Sequence, residues 1–352
     1  MELNDSQLSR LDSVGLAEAI RKGELSPTEA VQSSINRIEE MDGDLNAVVT
    51  ERFERALEDA AGEIPDGAFR GVPFILKDLW TASADEPMHL GNKALKDANY
   101  ISPIESDLAR RYREAGFIVV GRSNTPEFGL VGTTEPESYG PCRNPWNTDF
   151  GTGGSSGGAA AAVASGMVPA ANASDGGGSI RIPAAMCGLI GLKPSRGRVP
   201  MGPMQEEWGL SIQHVVCHSM RDAAGILDAT AIPTIGDGVV APRYGQPYLS
   251  QVGFEPRRLK IGIWNEAPRD DLVLHPDCQR LTSDAGKLLE ALGHSVEESH
   301  PSALDDPAIA GRFSAIWMAG ANLTLKNLSK LLQREVTIDD VEIGTWLMAQ
   351  AG

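Results

Sequence analysis

Nine of the glycines in this chain fall between Gly151 and Gly178, and no other stretch restricts the fold so strongly. Glycine reaches backbone conformations closed to other residues and lets two segments meet with no side chain between them. A stretch so rich in it builds turns and close crossings rather than one long helix or strand. The chain as a whole carries 38 glycines in 352 residues, above the usual share of about 7%. A loop-built site is therefore expected here.

Three local patterns carry chemistry. The first is Gly153-Gly154-Ser155-Ser156-Gly157-Gly158, two serines between paired glycines. Alone it reads as a turn exposing a hydroxyl, a linker or a phosphate loop. It runs into Ala159-Ala160-Ala161-Ala162-Val163, which opens on strong helix formers and so argues against a linker. The Gly-Lys-Ser/Thr ending of a nucleotide phosphate loop is missing. The second is Asp175-Gly176-Gly177-Gly178-Ser179-Ile180-Arg181-Ile182-Pro183. Its N–H groups from Gly176 through Gly178 to Ser179 are free to converge on a developing oxyanion. Asp175 and Arg181 are placed to clamp that loop, and an ordinary glycine turn with a surface ion pair is the plainer reading. The third is Gly71-Val72-Pro73-Phe74-Ile75-Leu76-Lys77-Asp78. A lysine ending an apolar strand is ordinarily a snorkelling residue or an ion-pair partner, here of Asp78. Desolvated at a buried strand end, Lys77 would instead lose its proton easily and serve as a base.

Together the three patterns resemble the amidase signature family of serine hydrolases. The resemblance continues through Cys187-Gly188-Leu189-Ile190-Gly191-Leu192-Lys193-Pro194, Gly121-Arg122-Ser123-Asn124-Thr125-Pro126-Glu127 and Arg143-Asn144-Pro145-Trp146. It is strong over about Ser6 to Met204 and weaker beyond. It implies that Lys77 is the catalytic lysine and that Ser155 is a bridging serine after a cis peptide bond. It also implies that Ser179 is the nucleophile and that the N–H groups of Gly176 to Ser179 form the oxyanion hole. The physics agrees: a serine hydroxyl needs a base within hydrogen-bond reach, and a neutral lysine acting through Ser155 supplies one. His89, His214, His218, His275, His294 and His300 all lie outside the three patterns, which disfavours a Ser-His-Asp triad. His214 and His218 lack a second cluster at zinc spacing. Cys187 sits in an apolar run that reads as core, not as a cysteine nucleophile.

Charge and composition set the remaining bounds. Acidic residues number 48 against 31 basic ones, a formal net charge of −17. That argues against nucleic acid and anionic membranes as partners, since both require basic patches. Cys142, Cys187, Cys217 and Cys278 make no disulfide framework, which fits a reducing, cytoplasmic setting. Met1 to Arg10 is polar and shows no secretory signal, and Gly157 to Ala171 is too short and polar to span a bilayer. The expected ligand is a small amide, with no cofactor and no metal, and a homodimer is left open.

The elements expected in the first half alternate helix and strand. They are a helix capped by Ser26-Pro27-Thr28-Glu29, a strand at 46–50, a helix at 51–61, a strand at 72–76, a helix at 106–115 and a strand at 117–120. A helix at 158–165, a strand at 189–192 and a helix at 219–229 follow; His214 to His218 reads as a strand and turn. Residues 233–256, rich in proline, glycine and tyrosine, read as an excursion. Beyond it come strands at 259–264 and 294–297 and helices at 276–292, 308–332 and 338–351. The expected fold is α/β, a single domain over 1–352 with a mixed, twisted sheet wrapped by helices. The family usually runs past this length, so its C-terminal completion is expected to be absent.

The run Ala173-Ser174-Asp175-Gly176-Gly177-Gly178, with Thr133-Thr134-Glu135-Pro136 and Tyr139-Gly140-Pro141, resembles the stand-alone amidase branch. That branch includes hydrolases of 6-aminohexanoate cyclic dimer. The alternatives are a protein like the amidase component of glutamyl-tRNA amidotransferase, or an inactive binding or scaffold protein that keeps the triad.

Overall fold

The computed structural model describes residues 8–204, 209–267, 269 and 271–352; the polar stretch before Leu8 lies outside the described residues. In chain order the strands are β1 (Val48–Glu51), β2 (Pro73–Lys77), β3 (Glu86–Pro87), β4 (Ile101–Ser102), β5 (Ile118–Ser123), β6 (Arg143–Asn144), β7 (Asn147–Gly151), β8 (Ala170–Asp175), β9 (Ile190–Gly191), β10 (Ile212–Cys217), β11 (Lys260–Ile263) and β12 (Ser295–Glu298). Contacts divide the chain into two compact units, Met1–Val252 with Lys326–Trp346, and Gly253–Leu325 with Leu347–Gly352. The division falls inside the excursion.

The first unit is built on a six-stranded sheet in the order β1-β5-β2-β8-β10-β9. β2 runs parallel to β5 and β8, while β1, β9 and β10 pair antiparallel, so the sheet is mixed as expected. β2 is buried along its whole length. Side chains alternate across a strand, and β2 serves two cores. Phe74 and Leu76 join a cluster with Phe69, Tyr112 and Phe117. Ile75 joins Val31, Ile35, Ile38, Val120 and the alanines of helix Gly157–Ala164 on the opposite face. Phe74 lies with its ring centroid 4.6 Å from both Tyr112 and Phe117. Burying each large apolar side chain of this kind contributes about 1.5–3 kcal/mol.

Helix Pro27–Leu45 begins as its sequence dictates: the Ser26 hydroxyl accepts the Glu29 N–H at 3.2 Å and Glu29 accepts the Ser26 N–H at 2.6 Å. Several elements depart from the sequence expectation. β8, at the centre of the sheet, carries alanine and small polar residues and no β-branched side chain. Helix Arg181–Cys187 follows the glycine run directly. The helix expected over 338–351 is broken, with a 3-10 turn at Ile338–Asp340 before helix Ile343–Ala351.

In the second unit β11 and β12 pair in parallel, Lys260 opposite Ser295 and Ile263 opposite Glu298. Helix Pro276–Ala291 connects them, with proline in its first turn. No helix among the described residues is long and apolar enough to cross a membrane.

Candidate active site

Lys77 ends β2, and the alternation that sends Leu76 to one core turns Lys77 to the side of Ile75 and helix Gly157–Ala164. Ser155 and Ser156 stand at the N-terminus of that helix. Their approach depends on glycine. A Cβ at Gly154 would collide with the Thr133 carbonyl, and one at Gly158 with the Asn124 N–H and the Ala47 carbonyl. The peptide bond from Gly154 to Ser155 is cis, as the family resemblance implies.

The lysine is fully buried. Its Nζ lies 2.7 Å from Ser155 Oγ, 3.0 Å from Ser156 Oγ and 3.0 Å from Ser174 Oγ. Burial among neutral hydroxyls pulls Lys77 from its ordinary value of 10.5 down to about 7, with the charge of Asp175 opposing the shift. The expected alternative, an ion pair with Asp78, is not formed. Asp78 is buried and accepts the N–H groups of His89 at 2.8 Å and Gly91 at 3.2 Å instead.

Nothing in the sequence patterns singles out Ser156 and Ser174, and both matter to the proton inventory. A neutral amine offers two N–H bonds and one lone pair. The Ser156 hydroxyl is 3.2 Å from the Ser174 carbonyl, an acceptor for its only proton, so Ser156 receives an N–H from Lys77. That leaves the lone pair for Ser155 or Ser174, and Ser155 makes the shorter contact. Ser174 lies on β8 one residue before Asp175, so recognising that strand would have placed it.

The second glycine run folds around Asp175. Its buried carboxylate accepts the Gly178 N–H at 2.7 Å and the Ile180 N–H at 3.3 Å. Arg181 grips it in bidentate fashion, Nε at 2.8 Å and Nη2 at 2.9 Å, which is the expected clamp. Burial alone would raise the carboxyl, but Arg181 and the backbone N–H groups prevail and hold Asp175 below the usual carboxylate range. The Gly178 N–H is thus engaged within the loop. The N–H groups of Gly176, Gly177 and Ser179 have no protein partner among the described residues, and they are the ones open to an oxyanion. Ser179 follows them, 8% exposed. Its carbonyl accepts the Ser156 N–H at 3.3 Å, tying the two glycine loops together. Its hydroxyl makes no hydrogen bond among the described residues.

Residues 29–348 match the Amidase family profile. The chain belongs to the amidase signature family. It is 36% identical to the 6-aminohexanoate-cyclic-dimer hydrolase of Paenarthrobacter ureafaciens, over 96% of this chain and 69% of that one. A structure of a 6-aminohexanoate cyclic dimer hydrolase complexed with substrate superposes with a TM-score of 0.94 at 36% identity, covering 97% of this chain and 71% of that one. A bacterial aryl acylamidase, also an amidase signature enzyme, superposes with a TM-score of 0.83 at 28% identity, covering 97% and 72%.

The rival sites dissolve into structure. Cys187 is buried, and burial pushes its thiol up to about 12, far from a reactive thiolate. His214 Nε2 lies 3.0 Å from the Ala223 carbonyl and His218 Nε2 lies 2.8 Å from that of Val163.

Proposed function

We propose that this amidase-family enzyme cleaves carboxylic-acid amides through an acyl-enzyme on Ser179, with Lys77 as base and Ser155 as relay. The contact of 2.7 Å between Ser155 Oγ and a lysine poised to be neutral carries this reading. Ser155 gives its proton to Lys77 and takes one from Ser179. Ser179 Oγ attacks the carbonyl carbon, and the oxyanion is received by the N–H groups of Gly176, Gly177 and Ser179. The carbon–nitrogen bond then breaks, and the relayed proton leaves with the amine. Water enters by the same proton path, and the acid departs. No cofactor and no metal enters this scheme.

The substrate class we favour is a linear or cyclic amide such as 6-aminohexanoate cyclic dimer. The resemblance to hydrolases of that compound supports it. The reading places the whole of 1–352 in one family domain, supported by a profile match that spans both compact units. It also places the protein in the cytoplasm, with no nucleic acid or membrane partner and a homodimer as the assembly to look for. Ser179→Ala is expected to abolish hydrolysis of the cyclic dimer and of simple anilides, and to prevent labelling by a fluorophosphonate. Ser155→Ala and Lys77→Ala are expected to slow acylation by about 10²-fold or more. Full activity in Ser179→Ala would remove the acyl-enzyme from consideration.

A further inference from the structure

β2 carries Lys77 and β8 leads into the nucleophile loop, yet only Ile75 opposite Ala171 is in register between them. At Lys77 the backbone N–H turns instead to a side chain, the amide oxygen of Asn172, at 3.3 Å. Asn172 is fully buried and every hydrogen-bonding position of its amide is used. Its Oδ1 also accepts the Thr81 hydroxyl at 2.8 Å. Its Nδ2 donates to the Tyr112 hydroxyl at 3.3 Å and the His214 carbonyl at 3.2 Å. Thr81 in turn contacts the buried Gln213 amide. Across β2, Arg122 Nη1 donates to the Lys77 carbonyl at 3.3 Å and the Thr81 carbonyl at 3.0 Å.

We infer that Asn172 is a positioning residue for the catalytic base: its amide substitutes for the missing strand ladder and fixes the β2 end where Nζ meets Ser155. The inference rests on the reading of Lys77 as the base. A saturated buried amide has one orientation, because any other leaves donors and acceptors unpaired. Asn172 and Ser174 are two residues apart on β8. One strand therefore holds both the backbone of Lys77 and one partner of its Nζ. Losing the amide would leave the Lys77 N–H unpaired in the core, free the strand end and admit water to Nζ.

The charged and titratable groups around this point are Asp175 at the end of β8, Asp78 beside Lys77, Arg122 on β5, Tyr112 from helix Asp107–Glu114 and His214 on β10. Burial takes His214 down to about 4 and raises Tyr112, so neither titrates between pH 5 and 9.

The test is the rate of fluorophosphonate labelling of Ser179 in the full chain between pH 5 and 9. Asn172→Ala is expected to lower the plateau about tenfold or more. It should also move the midpoint upward by about half a pH unit or more, since a hydrated lysine holds its proton more tightly. A loss of fold stability alone would lower the folded fraction without moving the midpoint. A wild-type midpoint and plateau in folded Asn172→Ala overturns the inference. If Asn172→Ala does not fold, Thr81→Val, which removes the hydroxyl orienting Oδ1, is read by the same midpoint and plateau. Lys77→Arg run in parallel separates the two readings, because labelling at the wild-type rate there means the base itself is misassigned.

Discussion

A lysine buried among three hydroxyls makes no ion pair among the described residues that would offset its lost hydration, so its charge is what gives way. In water a lysine at pH 7 is neutral in only about one molecule in 2,500. Held at about 7, Lys77 is neutral in roughly half the molecules at that pH. Only the neutral form accepts a proton from Ser155. The acylation rate is thus expected to rise with pH through a single ionisation near 7 and to level off above it. Asp175, which favours the ammonium, limits how far the midpoint falls. Lys77→Arg should not restore the rate, since arginine keeps its proton throughout. Stopped-flow acylation from pH 5 to 9 checks both outcomes; a flat profile, or substantial activity in Lys77→Arg, would make Lys77 a structural residue. At this scale the meeting of Lys77 with Ser155 was legible because both residues sit in unusual company. Ser156 and Ser174 were not, because their part depends on which hydroxyl proton is already engaged, and spacing does not encode that.

The strands and helices around the site differ in how they are written. β2 announces itself as an apolar run after Gly71, and helix Gly157–Ala164 as a run of alanine. β8 does not, because the close approach of that helix demands small side chains, and small residues carry weak strand preference. Its six residues are all buried, so packing against neighbours overrides local preference. Helix Arg181–Cys187 was hidden for another reason: Pro183 lies within its first turn, where a missing N–H costs nothing. The clamp joins these two elements. The Arg181 side chain is half exposed and the Asp175 side chain is fully buried. Removing the arginine therefore strands a buried carboxylate while giving up only a partly screened partner. Arg181→Ala is expected to cost about 1–3 kcal/mol at pH 7. The pH dependence has a definite sign. In the wild type Asp175 is held low, so its contribution is present above the ordinary carboxylate range and lost as pH falls through the depressed value. Without Arg181, burial prevails and raises the carboxyl, so a proton relieves the defect in acid. The stability deficit measured by urea unfolding should be larger at pH 7 than at pH 4. Equal deficits would mean that Arg181 matters only through packing.

Over the whole first unit, the chain is tied back on itself by one buried carboxylate. Glu127 follows β5, and 215 residues later the Glu342 N–H donates to its Oε2 at 2.9 Å. Asn92 Nδ2 bridges Glu127 Oε1 at 2.7 Å and the Asp340 carbonyl at 2.8 Å. The Thr345 hydroxyl also bonds the Glu127 carboxyl. The returning segment is braced in turn by Arg334, which grips Asp340 through both guanidinium ends. The knot adjoins the proposed relay serine, because a Cβ on Gly129, two residues beyond Glu127, would sit 3.2 Å from Ser155 Oγ. None of this was legible in the sequence, since Glu127 reads as part of a family motif and the return comes from a region of weak resemblance. Burial raises Glu127 to about 7, and its hydrogen bonds only partly offset that. A raised carboxyl means that between about 4.5 and 7 the folded state keeps a proton the unfolded chain has released. Stability contributed at this point therefore falls as pH rises through that window. Glu127→Gln cannot ionise, and it exchanges one acceptor oxygen for a donor, so it should be less stable than wild type at pH 5, where both are neutral. As pH rises to 8 the wild type bears the cost of a buried charge and the glutamine does not. The difference between the two is expected to shift in favour of Glu127→Gln by about 2 kcal/mol between pH 5 and pH 8. Urea unfolding of both proteins at intervals across that range measures it, with every other titrating group cancelling in the subtraction. A difference that stays constant with pH would show that Glu127 is already ionised in the folded protein at pH 5.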